Sequence, residues 1–285
     1  MAIPDNEVLN SIVARVFRFD DVTLGEPARG LIARYRGHLI MDDSVAAYDQ
    51  LAEALRPYDI TPLFRLDKGQ QVVYLTPRRP DPQPAPPTPN IILFILTVLR
   101  VVLGGGTPPP GALPAGLGAQ ALYFGRYLLS GWPYALSLMS ILVAHEFGHY
   151  LMSRHHKTPA TLPYFIPLPV PPLGTMGAAI VMQGTPKNKR VLFDIGVAGP
   201  LAGMVVAVPV LFLGLAMSHL DVIRPVGGMV QIEGNSVLYL LAKYLTFGKL
   251  LPAPASFGNL GPLGYWLRYF FTARPIPLGA TDVFV

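Results

Sequence analysis

Two stretches without a charged side chain, residues 127–144 and 195–217, constrain this chain more than any other feature. At ~1.5 Å of rise per residue these runs make helices of ~27 and ~35 Å, both within the ~17–25-residue range of a span across a ~30 Å hydrocarbon core. A third apolar run, IILFILTVLRVVL at 91–103, is shorter than the ~20 residues of an ordinary span. Arg100 stands near its far end, where the long side chain can snorkel to the interface. Composition agrees: hydrophobic residues make up 51% and charged residues 14%, against ~25% charged in a soluble domain. The expected fold class is an α-helical polytopic membrane protein with about three spans, preceded by a small α/β soluble domain.

That soluble domain is read over residues 1–77. RGLIARYRGHLI alternates like a strand, and SVAAYDQLAEAL has helical spacing behind the capping cluster Asp42, Asp43 and Ser44. ITPLFRL, DKGQ and QVVYLT read as a hairpin with a glycine turn, giving the order β-α-β-β. A binding or regulatory role and a plain cytosolic cap are both open for it. PRRPDPQPAPPTPN, ending at residue 90, is a stiff proline-rich linker. The membrane-embedded core is placed at 91–217. The tail, 218–285, holds SVLYLLAKYLTFGKLL and GYWLRYFF. Lys243, Lys249 and Arg268 interrupt both, so they read as interfacial rather than spanning.

Charge placement orients the spans. Arg78 and Arg79 precede the first span; Arg154, Lys157, Lys187, Lys189 and Arg190 lie between the second and third; the loop between the first and second holds Arg126. By the positive-inside rule, the N-terminal domain and the loop after the second span face the cytoplasm. The expected location is the cytoplasmic (inner) membrane, multi-pass, and the opening MAIPDNEVLN has no signal-peptide pattern. The net charge of +5 forms no dense Lys/Arg stripe with aromatics, so nucleic acid is not an expected partner. The chain has no cysteine, which excludes disulfides and thiol ligands.

Against this background one segment stands out. Twelve of the 17 acidic residues lie at or before Asp81, and between Asp81 and Asp194 there is one, Glu146. It sits in LVAHEFGHYL, at the cytoplasmic end of the second span. His145 and His149 are spaced i, i+4, so on a helix their imidazoles share one face and can reach one metal ion. Glu146 points to the side of the pair, where a carboxylate can act on the attacking water. This is the H-E-x-x-H arrangement of two zinc-binding histidines and a general base. With six His and five Glu in the chain, roughly 0.002 chance matches are expected. Polar residues in a span can also serve only as hydrogen-bonding glue between helices. Three ionisable groups in the one register that makes a metal site point instead to function.

HEFGHYLMSRHHKTPATLPYFIPLP, GTMGAAI and LFDIGVAGPLAG resemble the site-2 protease family, the intramembrane zinc metalloproteases, over roughly residues 90–217. The N-terminal domain and proline-rich linker resemble one prokaryotic branch, related to a plastid branch. The resemblance implies that His145 and His149 bind Zn2+ and that Glu146 is the catalytic base. It also implies a third ligand, an aspartate from an Asp-Gly motif in a later span. No Asp-Gly occurs in the chain, which stops at TDVFV, roughly where that span should begin. The sequence is therefore read as a fragment ending before it.

The segments around the motif have their own expectations. LPYFIPLPVPPLGTMGAAIVMQG carries five prolines from 163 to 172 and cannot be a regular helix. It reads as a re-entrant loop beside the zinc, ending in a strand at about 178–183, with Gly174, Gly177 and Ala178 as candidate substrate-binding residues. Its edge could pair with an unwound substrate by strand addition, or the loop could merely lid the site. Gly199 and Gly203 are four apart, a close-packing pattern that would bring the third span behind the ligands. Asp194 is read as the start of the third span, favoured there by the helix dipole, with a substitute-ligand or proton-relay role as the alternative. RHHK at 154–157 reads as a basic cluster facing anionic lipid rather than a second metal site.

The resulting expectation is an intramembrane zinc metalloprotease that hydrolyses peptide bonds of transmembrane substrates near the cytoplasmic face, with the lipid bilayer as its other partner. The first alternative is an inactive membrane scaffold that binds transmembrane partners without the third ligand. A transporter using the histidines as a metal or proton path is weaker, because few other intramembrane charges could form a route. Nothing in the sequence sets an oligomeric state.

Overall fold

A computed structural model describes residues 4–25, 30–78, 85–168, 174–222, 236–257, 261–271 and 280–284. The chain divides into two compact units, Met1–Gln83 and Pro84–Val285.

The first unit contains α1 (Asn6–Val13), β1 (Phe17–Leu24), β2 (Ala33–Leu39), α2 (Ser44–Leu55), β3 (Ile60–Asp67) and β4 (Gln70–Pro77). The strands form one antiparallel sheet in the order β1-β2-β4-β3. The helix α1 and the strand β1 are additions to the expected β-α-β-β order. Both carry weak local signals: α1 has eight residues, and β1, FRFDDVTL, is a polar edge strand with a register shift between Phe19 and Asp21. Edge strands need no alternating apolar face, so periodicity does not mark them. Pro62 sits in β3, the other edge, where a missing N–H breaks no ladder. Asp43 caps α2 by accepting from the Val45 N–H at 2.8 Å. Leu9, Val13, Phe17, Tyr35, Leu51, Leu55 and Leu75 pack the core, and the Tyr35 hydroxyl donates to Asn10 Oδ1 at 2.9 Å.

The second unit contains three helices long and apolar enough to cross a membrane: α3 (Thr88–Gly105), α4 (Leu117–His155) and α5 (Lys189–Met217). Large side chains such as Ile91, Leu99, Val205 and Leu213 are exposed on them. Apolar residues turned outward on helices this long suit lipid, not water. α3 reaches 18 residues by taking in Thr88, Pro89 and Asn90 ahead of the apolar run and Gly104 and Gly105 after it. α4 begins ten residues before its uncharged run, runs through Pro133, and spans 39 residues in all. α3 and α4 meet closely at Gly131, where an added Cβ would overlap the Val102 carbonyl.

α5 starts at Lys189, capped by Asn188, whose side chain accepts from the Val191 N–H at 2.9 Å. Asp194 therefore lies in the second turn and does not begin the helix. A capping asparagine with two basic residues in the first turn starts the helix before the apolar run does.

Between α4 and α5 the chain forms a two-stranded antiparallel hairpin, β5 (Tyr164–Pro167) and β6 (Thr175–Ala179). The strand expected at 178–183 is thus displaced toward the N-terminus, and only the isolated bridge Ala160↔Met182 lies near its far end. In a segment rich in glycine and small residues, alternation is too weak to set register. β5 packs on α3, with Phe94 and Phe165 edge to face at 5.0 Å. The turn of the hairpin, including Pro171 and Pro172, lies outside the described residues.

The tail places β7 (His219–Val222) beside β8 (Thr281–Phe284), with α6 (Val237–Phe247) and α7 (Gly261–Phe271) between them in sequence. Both helices have 11 residues, too few to span. α6 turns Val237, Leu241 and Leu245 outward and buries Lys243, whose Nζ donates to Asp282 at 3.1 Å.

Candidate metal centre

The helix α4 carries His145 and His149 one turn apart, and their Nε2 atoms approach to 3.2 Å. Two nitrogens each 2.0–2.1 Å from a tetrahedral zinc ion stand about 3.3 Å apart. The pair therefore already has the spacing of two zinc ligands, and its donor chemistry suits that ion.

The orientation of His149 comes from the neighbouring helix. Its Nδ1 lies 2.7 Å from the Ile195 carbonyl oxygen of α5. A backbone carbonyl can only accept, so Nδ1 carries the proton and Nε2 keeps its lone pair, the tautomer a metal requires.

α5 can come this close because its facing residues are small. A Cβ on Gly199 would overlap the His149 ring, and one on Gly203 would stand 3.3 Å from His145 Nδ1. From the other side, a Cβ on Gly148 of α4 would meet the Ala198 carbonyl oxygen at 2.5 Å. The glycine pair thus does pack behind the two histidines.

Glu146 is 5% exposed. With His145 and Leu142 it lines one side of a small cavity of about 220 Å³, and Gly177 and Ala178 of β6 line the other. The hairpin is held there by α3. Asn90 Nδ2 donates to the carbonyls of Leu162 and Pro163 at 2.9 and 3.0 Å. Gly174, at φ 71°, presses on the backbone of Arg100 and Val101, where a Cβ would stand 2.6 Å from the Arg100 oxygen. The Thr175 hydroxyl donates to the Ile166 carbonyl at 3.0 Å and accepts from the Gly177 N–H at 3.0 Å. Of the three candidate residues in the loop, Gly177 and Ala178 reach the cavity with Glu146, whereas Gly174 sits against α3.

Asp194 is not brought to the histidine pair. Its Oδ2 lies 3.0 Å from His156 Nε2, so one member of the RHHK cluster faces α5 rather than lipid. Among the described residues no third His, Cys, Asp or Glu joins His145 and His149. The Ile195 carbonyl and the Asn90 clamp had no sequence signal: one is backbone, the other a single amide at a helix start.

Residues 133–264 match Peptidase family M50. Two curated relatives carry the same description, "Probable zinc metalloprotease EGY1, chloroplastic". The protein from Oryza sativa subsp. japonica is 29% identical over 191 residues, covering 60% of this chain and 31% of its own length. The one from Arabidopsis thaliana is 35% identical over 157 residues, covering 53% of this chain and 28% of its own length. The chain therefore spans about a third of the length of these relatives. No solved structure matches it. Over the matched residues, which include the whole His145–His149 motif, the chain is similar to the site-2 protease family of zinc metalloproteases.

Proposed function

We propose that the protein is an intramembrane zinc metalloprotease that cuts transmembrane substrates near the cytoplasmic face of the membrane. The observation that carries this reading is the 3.2 Å convergence of His145 and His149 Nε2 beside a buried glutamate that shares a cavity with β6. His145 and His149 would hold the metal, with a further ligand from elsewhere in the protein. Zinc bound there supplies a Lewis acid toward the scissile carbonyl. Glu146 takes the proton of the attacking water and passes it to the leaving amine. Glu146 is buried beside the cavity that β6 also lines. β6 pairs only with β5 among the described residues, so its second edge is available to an extended substrate segment. A substrate helix has to unwind there to expose a carbonyl, and glycine or proline in it lowers that cost.

The test is a reconstituted assay on the full-length protein with a transmembrane peptide, with zinc measured in the same samples. About one zinc per chain with cleavage is expected, as for a single mononuclear site. His149→Ala should abolish both. A parent protein without zinc and without cleavage would instead support the inactive scaffold. Full zinc occupancy in His149→Ala would remove the ligand assignment.

The orientation is tested separately. The Lys/Arg asymmetry puts Lys187 and the N-terminal domain in the cytoplasm. Since the chain has no cysteine, Lys187→Cys gives a single label site. It should react with an impermeant thiol reagent only after the cells are opened, and labelling in intact cells would reverse the topology.

A further inference from the structure

We propose that Asp194 and His156 form a positioning clamp that holds the Ile195 carbonyl on His149, and so sets the metal affinity of the site. This role rests on the zinc-site reading above.

Two contacts tie the start of α5 to the end of α4. Ile195 O meets His149 Nδ1 at 2.7 Å, and Asp194 Oδ2 meets His156 Nε2 at 3.0 Å. Asp194 and Ile195 are chain neighbours, while His149 lies within α4 and His156, seven residues on, caps its C-terminal end. Two fixed points this far apart on one helix determine both the height and the rotation of the other. The first contact alone would act as a pivot.

The α5 surface behind the histidines is built from Gly199, Ala202 and Gly203, small residues that allow close approach but carry no polar side chain to hold the carbonyl in place. Ser153, one turn beyond His149, is completely buried, so bulk water does not fill the seam between the contacts. The clamp itself is partly open, with side-chain exposures of 22% for His156 and 36% for Asp194. An ion pair this exposed adds little to folding stability. Its loss should therefore move the carbonyl without unfolding the protein.

The consequence is specific. If α5 rotates or slides, His149 Nδ1 loses its acceptor and the ring is free to turn or to adopt the other tautomer, which puts the proton on Nε2. Loss of such an outer partner of a metal-bound histidine typically costs ~10–100-fold in metal affinity.

The experiment uses full-length protein in a bilayer, with Asp194→Ala, His156→Ala, the double variant and Asp194→Asn. Zinc affinity is read by chelator competition, ligand geometry by the absorption spectrum of the Co2+-substituted protein, and folding by thermal melting. Each alanine variant should bind zinc ~10–100-fold more weakly, with an altered cobalt spectrum and a nearly unchanged melting temperature. The double variant should lose no more than either single one. Asp194→Asn keeps the shape but not the charge of the side chain and should bind zinc with an affinity between those of the parent and Asp194→Ala.

Unchanged affinity and spectrum in both single variants would overturn the clamp, as would losses that add in the double variant. Affinity losses that merely track the melting temperature would also overturn it. A parent protein that binds no metal fails earlier, and sinks the protease reading together with this role; metal in the parent with unaffected variants sinks the clamp alone.

Discussion

Glu146→Gln is expected to leave zinc in place and to slow cleavage by ~10²–10⁴-fold, the usual contribution of a general base. The glutamine keeps the size and some hydrogen bonding of the native side chain but cannot accept the proton of the attacking water. Glu146 is buried beside a cavity that Gly177 and Ala178 also line. His145 and His149 meet through their own Nε2 atoms, without help from the carboxylate, so metal content should not change. Substrate capture at the β6 edge should also survive. The check is zinc content, substrate capture and cleavage measured on parent and variant together. Equal cleavage by both proteins would take Glu146 out of the mechanism. Lost zinc would make it a ligand instead of a base.

Gly199→Ala is expected to empty the metal site. The added methyl would overlap the His149 ring itself, and the ring cannot yield without leaving either Ile195 O or the Nε2 contact with His145. If the helices part instead, the contact at Gly148 opens as well. Overpacking of this kind costs ~1–3 kcal/mol, so the protein should fold but hold little zinc. Two neighbouring glycines calibrate the effect. Gly203→Ala brings its methyl to 3.3 Å from His145 and should reduce affinity far less. Gly196→Ala faces open space and should leave zinc binding unchanged. Chelator competition on the three variants checks the order. Similar affinities for Gly199→Ala and Gly196→Ala would show that α5 does not press on the metal ligands.

What could be read from the chain alone was whatever depends on local spacing. Long uncharged runs mark the three candidate spans because length and hydropathy are properties of one segment. His145 and His149 could be paired because i, i+4 places two side chains on one helix face in any context. Even the packing role of Gly199 and Gly203 was visible as a spacing. Local signals failed where elements are short or polar. α1 and β1 were missed for that reason, and β6 was placed three residues late because TMGAA has little alternation.

Only the tertiary structure decided which α5 atom orients His149. The acceptor is a backbone carbonyl that every residue has, so no side chain announces it. It also decided that Gly177 and Ala178, rather than Gly174, share the cavity with Glu146, and that Asp194 meets His156 instead of the histidine pair. Each of these is a distance between segments tens of residues apart in sequence. Such distances are set by how closely helices approach, and glycine-faced helices can settle in several rotations that a sequence pattern does not distinguish.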